Sequence, residues 1–145
     1  MAPSNDGLPV TARLHWILGY AEAVARERAH PGVGPEHLQL AILRNRNAVP
    51  NRVLEVLGHE PEAVADIVSA TLDAATDRTP ADKYRILGPA ADIARGLGHA
   101  HLGAEHVQLA LLRDRDRAAA RVLAAAEVGI EEFEAALTDR IRISD

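Results

Sequence analysis

Two stretches of the chain, GPEHLQLAILR at residues 34–44 and GAEHVQLALLR at residues 103–113, are nearly the same phrase. A shift of 69 residues aligns 17–54 with 86–123 without a gap, and 19 of these 38 positions are identical. Only two copies of a unit this long are present, which indicates a duplicated subdomain and not an open array of repeats. We therefore expect the two halves to pack together as one pseudo-symmetric body.

The apolar residues within each copy have helical spacing. Leu14, Ile17, Ala21 and Val24 recur at steps of three and four, which predicts a helix from about residue 11 to residue 29. A second helix is predicted to begin after Gly34, because Pro and Glu suit the first turn of a helix. Since this second segment is apolar nearly all round, we expect it to lie at the centre of the fold.

The remaining segments complete a predicted set of four helices in each copy. A third helix should end at Gly58 and its counterpart before Gly129, with further helices at about 61–72 and 131–140. The predicted fold class is all-α, with eight helices in two tandem four-helix repeats related by pseudo-twofold symmetry. The expected boundaries are a flexible N-terminus at 1–9 and a single domain at 10–145, with repeat one at about 10–72, a linker at 73–79 and repeat two at about 80–140.

Composition excludes several classes of function. The net charge of −5 argues against a broad nucleic-acid surface, and the absence of cysteine excludes disulfides and thiolate metal sites. No apolar run approaches the roughly 18 residues of a membrane span, and the first residues do not resemble a signal peptide. We therefore predict a cytoplasmic protein with no nucleic-acid or membrane partner. No G-x-x-x-x-G-K-[ST] loop is present, and no cofactor is expected.

The segment GHAHLGAEH at 98–106 contains residue types that bind zinc. Three of its four candidate ligands have counterparts in the first repeat, where Gly32 matches His101, so we attribute the cluster to the fold. No serine lies in a nucleophile elbow, and the chain is predicted not to be an enzyme. Structural, hydrogen-bonded roles beside the turn after the long helix are predicted for His30, His37, His99 and His106.

The order of these features resembles a known family. A long helix, LGH, a short turn, G-x-E-H, a buried apolar helix and A-x-x-V-L together are similar to the N-terminal domain of the Clp-type AAA+ unfoldases, especially the ClpC branch. The likeness covers about residues 10–140. It implies an eight-helix double repeat that does not catalyse a reaction and that docks substrates and adaptor proteins for an ATPase. The matching residues include Gly34, Glu36, His37, Gly98, His99, Gly103, Glu105 and His106.

The resemblance also implies a phosphoarginine-binding site in each copy. In ClpC-like members a Thr at the start of the first helix and the Glu of G-x-E-H would form it: the carboxylate pairs with the guanidinium group, while the hydroxyl and backbone N–H groups receive the phosphate. Thr11 precedes Glu36 by the family spacing of 25 residues. Thr79 precedes Glu105 by 26 residues, so the second site is expected to be weaker. The candidate ligand-binding residues are Thr11, Arg13, Glu36, Thr79 and Glu105.

Other features qualify this expectation. Either glutamate also suits a helix N-terminus for electrostatic reasons alone, by roughly 0.3–1 kcal/mol. Val10 and Arg78 stand where the family has an aromatic residue, which weakens the expectation that cyclic peptide antibiotics bind there. The candidate residues for a partner-binding surface are Trp16, Tyr20 and Tyr84, although core packing is the ordinary role of Trp16.

Three hypotheses follow. The first is a Clp N-domain-like module that regulates or feeds Clp proteolysis by binding an unfoldase, an adaptor or a tagged protein. The second is a decoy that sequesters peptide antibiotics or degradation tags. The third is a metal-dependent enzyme that uses the histidine cluster.

Overall fold

The computed structural model describes residues 8–74, 84–114 and 118–143, and these contain eight helices. Helices α1 to α4 form the first repeat and α5 to α8 the second, which confirms the all-α prediction. The starts of α2, α3 and α4 each precede those of α6, α7 and α8 by 69 residues, so the offset in the sequence persists through the last helix of each copy. The helices are α1 (Ala12–Glu27), α2 (Pro35–Arg44), α3 (Val49–Val56), α4 (Pro61–Ala74), α5 (Tyr84–Gly96), α6 (Ala104–Leu112), α7 (Ala118–Ala125) and α8 (Ile130–Ile143).

Helices α2 and α6 lie at the centre, as their sequences predict. One apolar cluster joins them to α1 and α5 and includes Leu14, Ile17 and Ile86. A second cluster joins them to the other four helices and includes Leu54 and Phe133. Because α2 and α6 each contribute side chains to both clusters, they need apolar residues on nearly every face.

The two central helices also meet through polar side chains. Gln39 and Gln108 are fully buried and exchange two hydrogen bonds, of 2.8 and 2.7 Å, between their amide groups. The two residues are 69 positions apart and thus equivalent in the two repeats. The pseudo-twofold axis therefore passes close to this amide pair.

Left-handed residues follow helices at equivalent points of the two repeats. Ala29 (φ 56°) corresponds to Gly98 (φ 77°), and Gly58 (φ 91°) corresponds to Glu127 (φ 65°). Helix α7 ends at Ala125, before Gly129 as predicted, and Glu127 takes the left-handed conformation that Gly58 has in the first repeat. Gly129 precedes α8, where its carbonyl accepts a 2.9 Å hydrogen bond from the N–H of Phe133.

The limits of the two repeats differ slightly from the expected boundaries. Helix α4 continues to Ala74, two residues into the expected linker, and the rest of that linker lies outside the described residues. Helix α8 continues to Ile143, three residues beyond the expected end of repeat two, and Ile141 is buried. Within the described part of the chain, no helix combines the length and apolar character needed to span a membrane.

Candidate functional site

Thr11 caps the start of α1. Its backbone is extended (φ −65°, ψ 156°), and its Oγ1 accepts a 3.1 Å hydrogen bond from the N–H of Leu14. This is the usual action of a threonine N-cap. The first turn of α1 contains no acidic residue, whereas α2 and α6 carry Glu36 and Glu105 in theirs. The start of α1 therefore retains the positive potential of its free N–H groups.

The backbone of Thr11 binds the second repeat. Its N–H donates to the carbonyl of Leu102 at 3.0 Å, and the N–H of Leu102 donates to the carbonyl of Pro9 at 2.8 Å. These bonds form a short parallel bridge between Val10 and Leu102, while no strand occurs elsewhere in the described residues. Glu105 follows Leu102 by three residues, and three residues of backbone span at most about 10 Å. The backbone of Glu105 therefore lies no more than about that distance from Leu102, which contacts Thr11.

This contact adds a second neighbour to the pairing expected from the sequence. The chain spacing associated Thr11 with Glu36 as two parts of one ligand pocket, and among the described residues no hydrogen bond joins Thr11 to the side chain of either Glu36 or Glu105. The N-terminal segment crosses to the opposite repeat, so Thr11 approaches the turn that carries Glu105. Arg13 is exposed on the first turn of α1. Thr79, the other candidate threonine, lies outside the described residues.

Glu105 is folded against the start of its own helix. Its side chain is 18% exposed, and Oε2 lies 3.8 Å from Nε2 of His101. A Cβ atom at Gly103 would lie 2.6 Å from Oε1 of Glu105, closer than real contacts allow. Glycine therefore leaves the space in which this carboxylate rests. Glu36, its counterpart, is half-buried at the start of α2.

A pair of histidines braces the turn in each repeat. In the first repeat the N–H of Gly34 donates to Nδ1 of His37 at 2.9 Å, and Nε2 of His37 lies 2.8 Å from Nδ1 of His30. Because Nδ1 of His37 accepts a backbone hydrogen bond, the neutral ring carries its proton on Nε2 and donates to His30. His37 thus takes the place that Glu or Gln has in a capping box.

The second repeat has the same arrangement. Gly103 donates to Nδ1 of His106 at 2.9 Å, and Nε2 of His106 lies 2.8 Å from Nδ1 of His99. The structural, hydrogen-bonded roles predicted for the four histidines are confirmed. The second repeat adds His101, whose ring stacks on that of His99 with a centroid distance of 5.7 Å.

Burial holds both capping histidines neutral. It lowers the pKa of His37 from 6.5 to about 4, and electrostatic interactions with His30 and Arg28 add to the shift. Burial also lowers the pKa of His106 to about 4; Glu105 opposes the shift, while the other two histidines of the cluster add to it. Within the described part of the chain, no group of three or more His, Cys, Asp or Glu side chains is arranged to hold a metal ion.

The aromatic residues on α1 form an exposed ridge. Trp16 is 47% exposed and stacks on Tyr20 with ring centroids 5.0 Å apart and an interplanar angle of 19°. Trp16 does not take the core position that is ordinary for tryptophan, because its position on α1 faces outward while Ile17 points inward. Tyr20 is half-buried and packs against both apolar clusters. The side chain of Tyr84, the third candidate, lies outside what the structure describes.

The equivalent face of the second repeat is a groove that sequence reasoning missed. Its volume is about 530 Å³. Arg85 and Pro89 occupy the positions that correspond to Trp16 and Tyr20. The alignment of the repeats places Pro89 opposite an aromatic residue, and this loss of a large side chain could have predicted the groove. The lining residues include Arg85, Ile86, Pro89, Asp92, Ile93 and Arg113.

A buried ion pair fixes one wall of this groove. Nη1 and Nη2 of Arg85 donate to the two carboxylate oxygens of Asp114 at 2.7 and 3.2 Å. The side chain of Asp114 is 4% exposed and that of Arg85 is 37% exposed. The bidentate contact uses the edge of the guanidinium group and holds its plane in one orientation.

Comparison with known proteins places this architecture in a family. The family model for the Clp repeat N-terminal domain matches twice, at residues 9–85 and 82–144. The chain therefore belongs to the Clp repeat N-terminal domain family, as the resemblance of its motifs indicated. The matches cover both repeats and nearly all of the described residues.

The similar proteins are much longer. The chain is 29% identical over 118 residues to the negative regulator of genetic competence ClpC/MecB of Bacillus subtilis, which covers 78% of this chain and 15% of that protein. It is also 29% identical over 118 residues to the chaperone protein ClpB of Oceanobacillus iheyensis, with the same coverage. The chain thus spans about 15% of the length of these curated relatives.

Solved structures share the fold at lower sequence identity. The Hsp104 N-terminal domain from Candida albicans superposes with a TM-score of 0.75 at 17% identity and covers 89% of both chains. The N-terminal domain of ClpD from Arabidopsis thaliana has a TM-score of 0.75 at 18% identity and covers 92% of this chain and 94% of that chain. These structures support the eight-helix double-repeat fold.

Proposed function

We propose that the chain is a non-catalytic protein-binding module that recognises phosphoarginine-tagged proteins on behalf of a Clp unfoldase. The observation that carries the proposal is the hydrogen bond from the N–H of Thr11 to the carbonyl of Leu102. It joins the start of α1, which attracts anions, to the turn that bears Glu105, which attracts cations. Phosphoarginine carries both kinds of group, a phosphate and a guanidinium, on one side chain.

The two halves of the ligand would have different receptors. The hydroxyl of Thr11, the free N–H groups at the start of α1 and the guanidinium of Arg13 would bind the phosphate. The carboxylate of Glu105 would leave its resting place above Gly103 and pair with the guanidinium part of the ligand. Because Glu105 is only 18% exposed, this pair would be partly shielded from solvent.

Glu36 remains the candidate carboxylate of a separate, equivalent site. It occupies the same helical position as Glu105, and its turn is braced by the same histidine arrangement. The sequence favours Glu36 as the better carboxylate, whereas the backbone contact of Thr11 favours Glu105.

Calorimetric titration with phosphoarginine tests the proposal, with arginine and phosphoserine as ligands that each lack one of the two groups. Phosphoarginine should bind and the other two should not. Substitutions Thr11→Ala and Glu105→Gln should each weaken binding about 5- to 30-fold, as the loss of one charge-assisted hydrogen bond of roughly 1–2 kcal/mol predicts. Arginine binding as tightly as phosphoarginine would contradict the tag-binding role.

A double-mutant cycle identifies which glutamate works with Thr11. If the site is as proposed, Thr11→Ala combined with Glu105→Gln should lose less than the sum of the single effects, because both belong to one site. The matched combination of Thr11→Ala with Glu36→Gln should be additive. The opposite pattern would assign Thr11 to the pocket expected from the sequence spacing.

The partner protein is part of the same proposal. A Clp unfoldase, its adaptor or a tagged substrate is the expected partner, and a cytoplasmic location remains a prediction from the sequence. Affinity capture from an extract of the source cells, with the intact chain compared with its Glu105→Gln and Glu36→Gln variants, should recover arginine-phosphorylated proteins only through an intact site. Tight binding of a cyclic peptide antibiotic without any protein partner would favour the decoy hypothesis instead.

A further inference from the structure

The two repeats differ most clearly at one pair of equivalent surfaces. On α1 the first repeat presents the aromatic ridge of Trp16 and Tyr20. On α5 the second repeat has Arg85 and Pro89 at those positions, beside a groove of about 530 Å³. The first repeat therefore projects aromatic side chains at the positions where the second repeat has a groove.

The first repeat shows which side chain fits such a position. Tyr20 reaches both apolar clusters of the core, and Ile93 beside Pro89 does the same in the second repeat. Pro89 has a short ring and is exposed, so it leaves the surface above Ile93 uncovered. An aromatic ring supplied from outside would restore the packing that Tyr20 provides within its own repeat.

The wall formed by Arg85 also favours an aromatic ring. The edge of its guanidinium group is held by the bidentate contact with Asp114, while 37% of the side chain is exposed. A guanidinium group whose edge is engaged can still stack its flat face on an aromatic ring. The ion pair therefore holds a planar cation in one orientation at the wall of the groove.

We propose that the aromatic ridge of one copy of this chain docks into the groove of a second copy, so that the protein self-associates head to tail. Trp16 enters between Arg85 and Pro89 of the next copy, where it stacks on the guanidinium face and covers Ile93. Arg13 is exposed one turn before Trp16 on α1, and Asp92, which pairs with Arg95 of its own helix at 2.7 Å, is exposed on the rim of the groove, so charges of opposite sign would lie near each other in this contact.

The contact is expected to be weak and reversible. Trp16 is 47% exposed and Tyr20 is already half-buried, so the area that the two rings can still bury, together with their surroundings, falls below the roughly 1,200 Å² of stable complexes. A dissociation constant of about 0.1–1 mM is therefore expected. Because ridge and groove are different surfaces, each docked copy leaves one of each available for another copy.

Sedimentation velocity between about 10 µM and 1 mM tests the proposal, since this range brackets the expected dissociation constant. The sedimentation coefficient should rise with concentration. Trp16→Ala removes the ridge, and Pro89→Tyr fills the groove with the side chain that Tyr20 provides in the first repeat. Each variant should remain monomeric, and Ile67→Ala, which removes another exposed apolar side chain, should associate like the original.

Mixing the two variants gives the decisive result. Trp16→Ala retains its groove and Pro89→Tyr retains its ridge, so the equimolar mixture should regain one contact and approach twice the monomer mass without growing further. The chain has a single tryptophan, so a blue shift of its fluorescence in the mixture reports burial of Trp16 directly. A mixture that stays monomeric, or association of Pro89→Tyr alone, would overturn the ridge-in-groove contact.

Discussion

Gln39 and Gln108, equivalent residues of the two repeats, bind each other through two reciprocal amide hydrogen bonds in a fully buried position. Because the two hydrogen-bonded amides belong to equivalent residues, the pair can form only when both central helices are aligned about the pseudo-twofold axis. A buried amide without a partner is costly, and this makes the pair a determinant of how the halves are docked.

Removal of one glutamine should therefore cost more than removal of both. Gln39→Leu is expected to lower the free energy of unfolding by about 1–3 kcal/mol, because it leaves the amide of Gln108 buried and unsatisfied. The double variant with Gln108→Leu should recover most of that loss, since no orphaned amide remains. Urea unfolding of the four members of the cycle measures the coupling. Additive losses would show that the two amides act separately.

The capping histidines should make the protein acid-sensitive. His37 and His106 have pKa values near 4 in the folded chain and about 6.5 when unfolded. Between these values the unfolded state binds more protons, so the free energy of unfolding falls as the pH is lowered from 6.5 towards 4. The slope should be up to about 1.4 kcal/mol per pH unit for each histidine.

Substitution of one histidine by glutamine tests this assignment. Gln at residue 37 can still accept the backbone hydrogen bond of Gly34, as in a capping box, but it does not titrate. His37→Gln should therefore flatten the dependence of stability on pH between 7 and 5, measured by urea unfolding. The exposed His15→Gln serves as the control and should leave the dependence unchanged. Equal slopes for the two variants would exclude His37 as the titrating group.

The four left-handed residues provide an internal test of backbone strain. Ala29 and Glu127 adopt a conformation that costs residues with a side chain about 1–2 kcal/mol, whereas glycine loses about 0.5–1 kcal/mol through its greater freedom when unfolded. Ala29→Gly and Glu127→Gly should therefore raise the free energy of unfolding by up to about 1 kcal/mol.

The reverse substitutions are the matched controls. Gly58→Ala and Gly98→Ala should destabilise the chain by about 1 kcal/mol through the backbone alone, because a Cβ atom at either position would meet nothing within 4 Å. Urea unfolding of all four variants separates the conformational cost from packing. Stabilisation by Gly98→Ala would contradict the assigned strain.

Among the described helices, Pro89 on α5 is the only proline that lies beyond the first two helical positions. Proline lacks the N–H of a helix interior and crowds the preceding turn, at a cost of about 3 kcal/mol. Pro89→Ala should raise the thermal unfolding midpoint and the free energy of unfolding by about 1–3 kcal/mol. Pro61→Ala, at the first position of α4, is the control and should gain little, because no N–H is needed there. An equal gain at both sites would remove the helix-interior explanation.

The sequence predicted those features that depend on short-range periodicity. The step of three and four residues located the helices to within a few positions, and the nearly uniform apolar character of α2 and α6 predicted their central place. The histidine pairs were also predictable, because their partners lie seven residues apart and recur in both copies. Local chemistry and repetition were sufficient for these results.

Contacts between distant segments were not predictable in the same way. The spacing of Thr11 and Glu36 is a distance along the chain, and it could not reveal that the N-terminal segment crosses to the opposite repeat. Periodicity also left the environment of Trp16 undecided, since a residue beside the apolar stripe can be turned inward or outward by a small rotation of the helix. Glu127 was missed because glycine is the ordinary residue at a left-handed position.

The hydrogen bond between Thr11 and Leu102 also bears on how the two halves can be separated. A fragment that begins at α5 would keep Glu105 and its histidines but would lack the helix start that lies beside them. The duplicated units are therefore not interchangeable modules. Trimming or tagging the amino terminus would alter a surface that residues near Thr11 and residues near Leu102 form together.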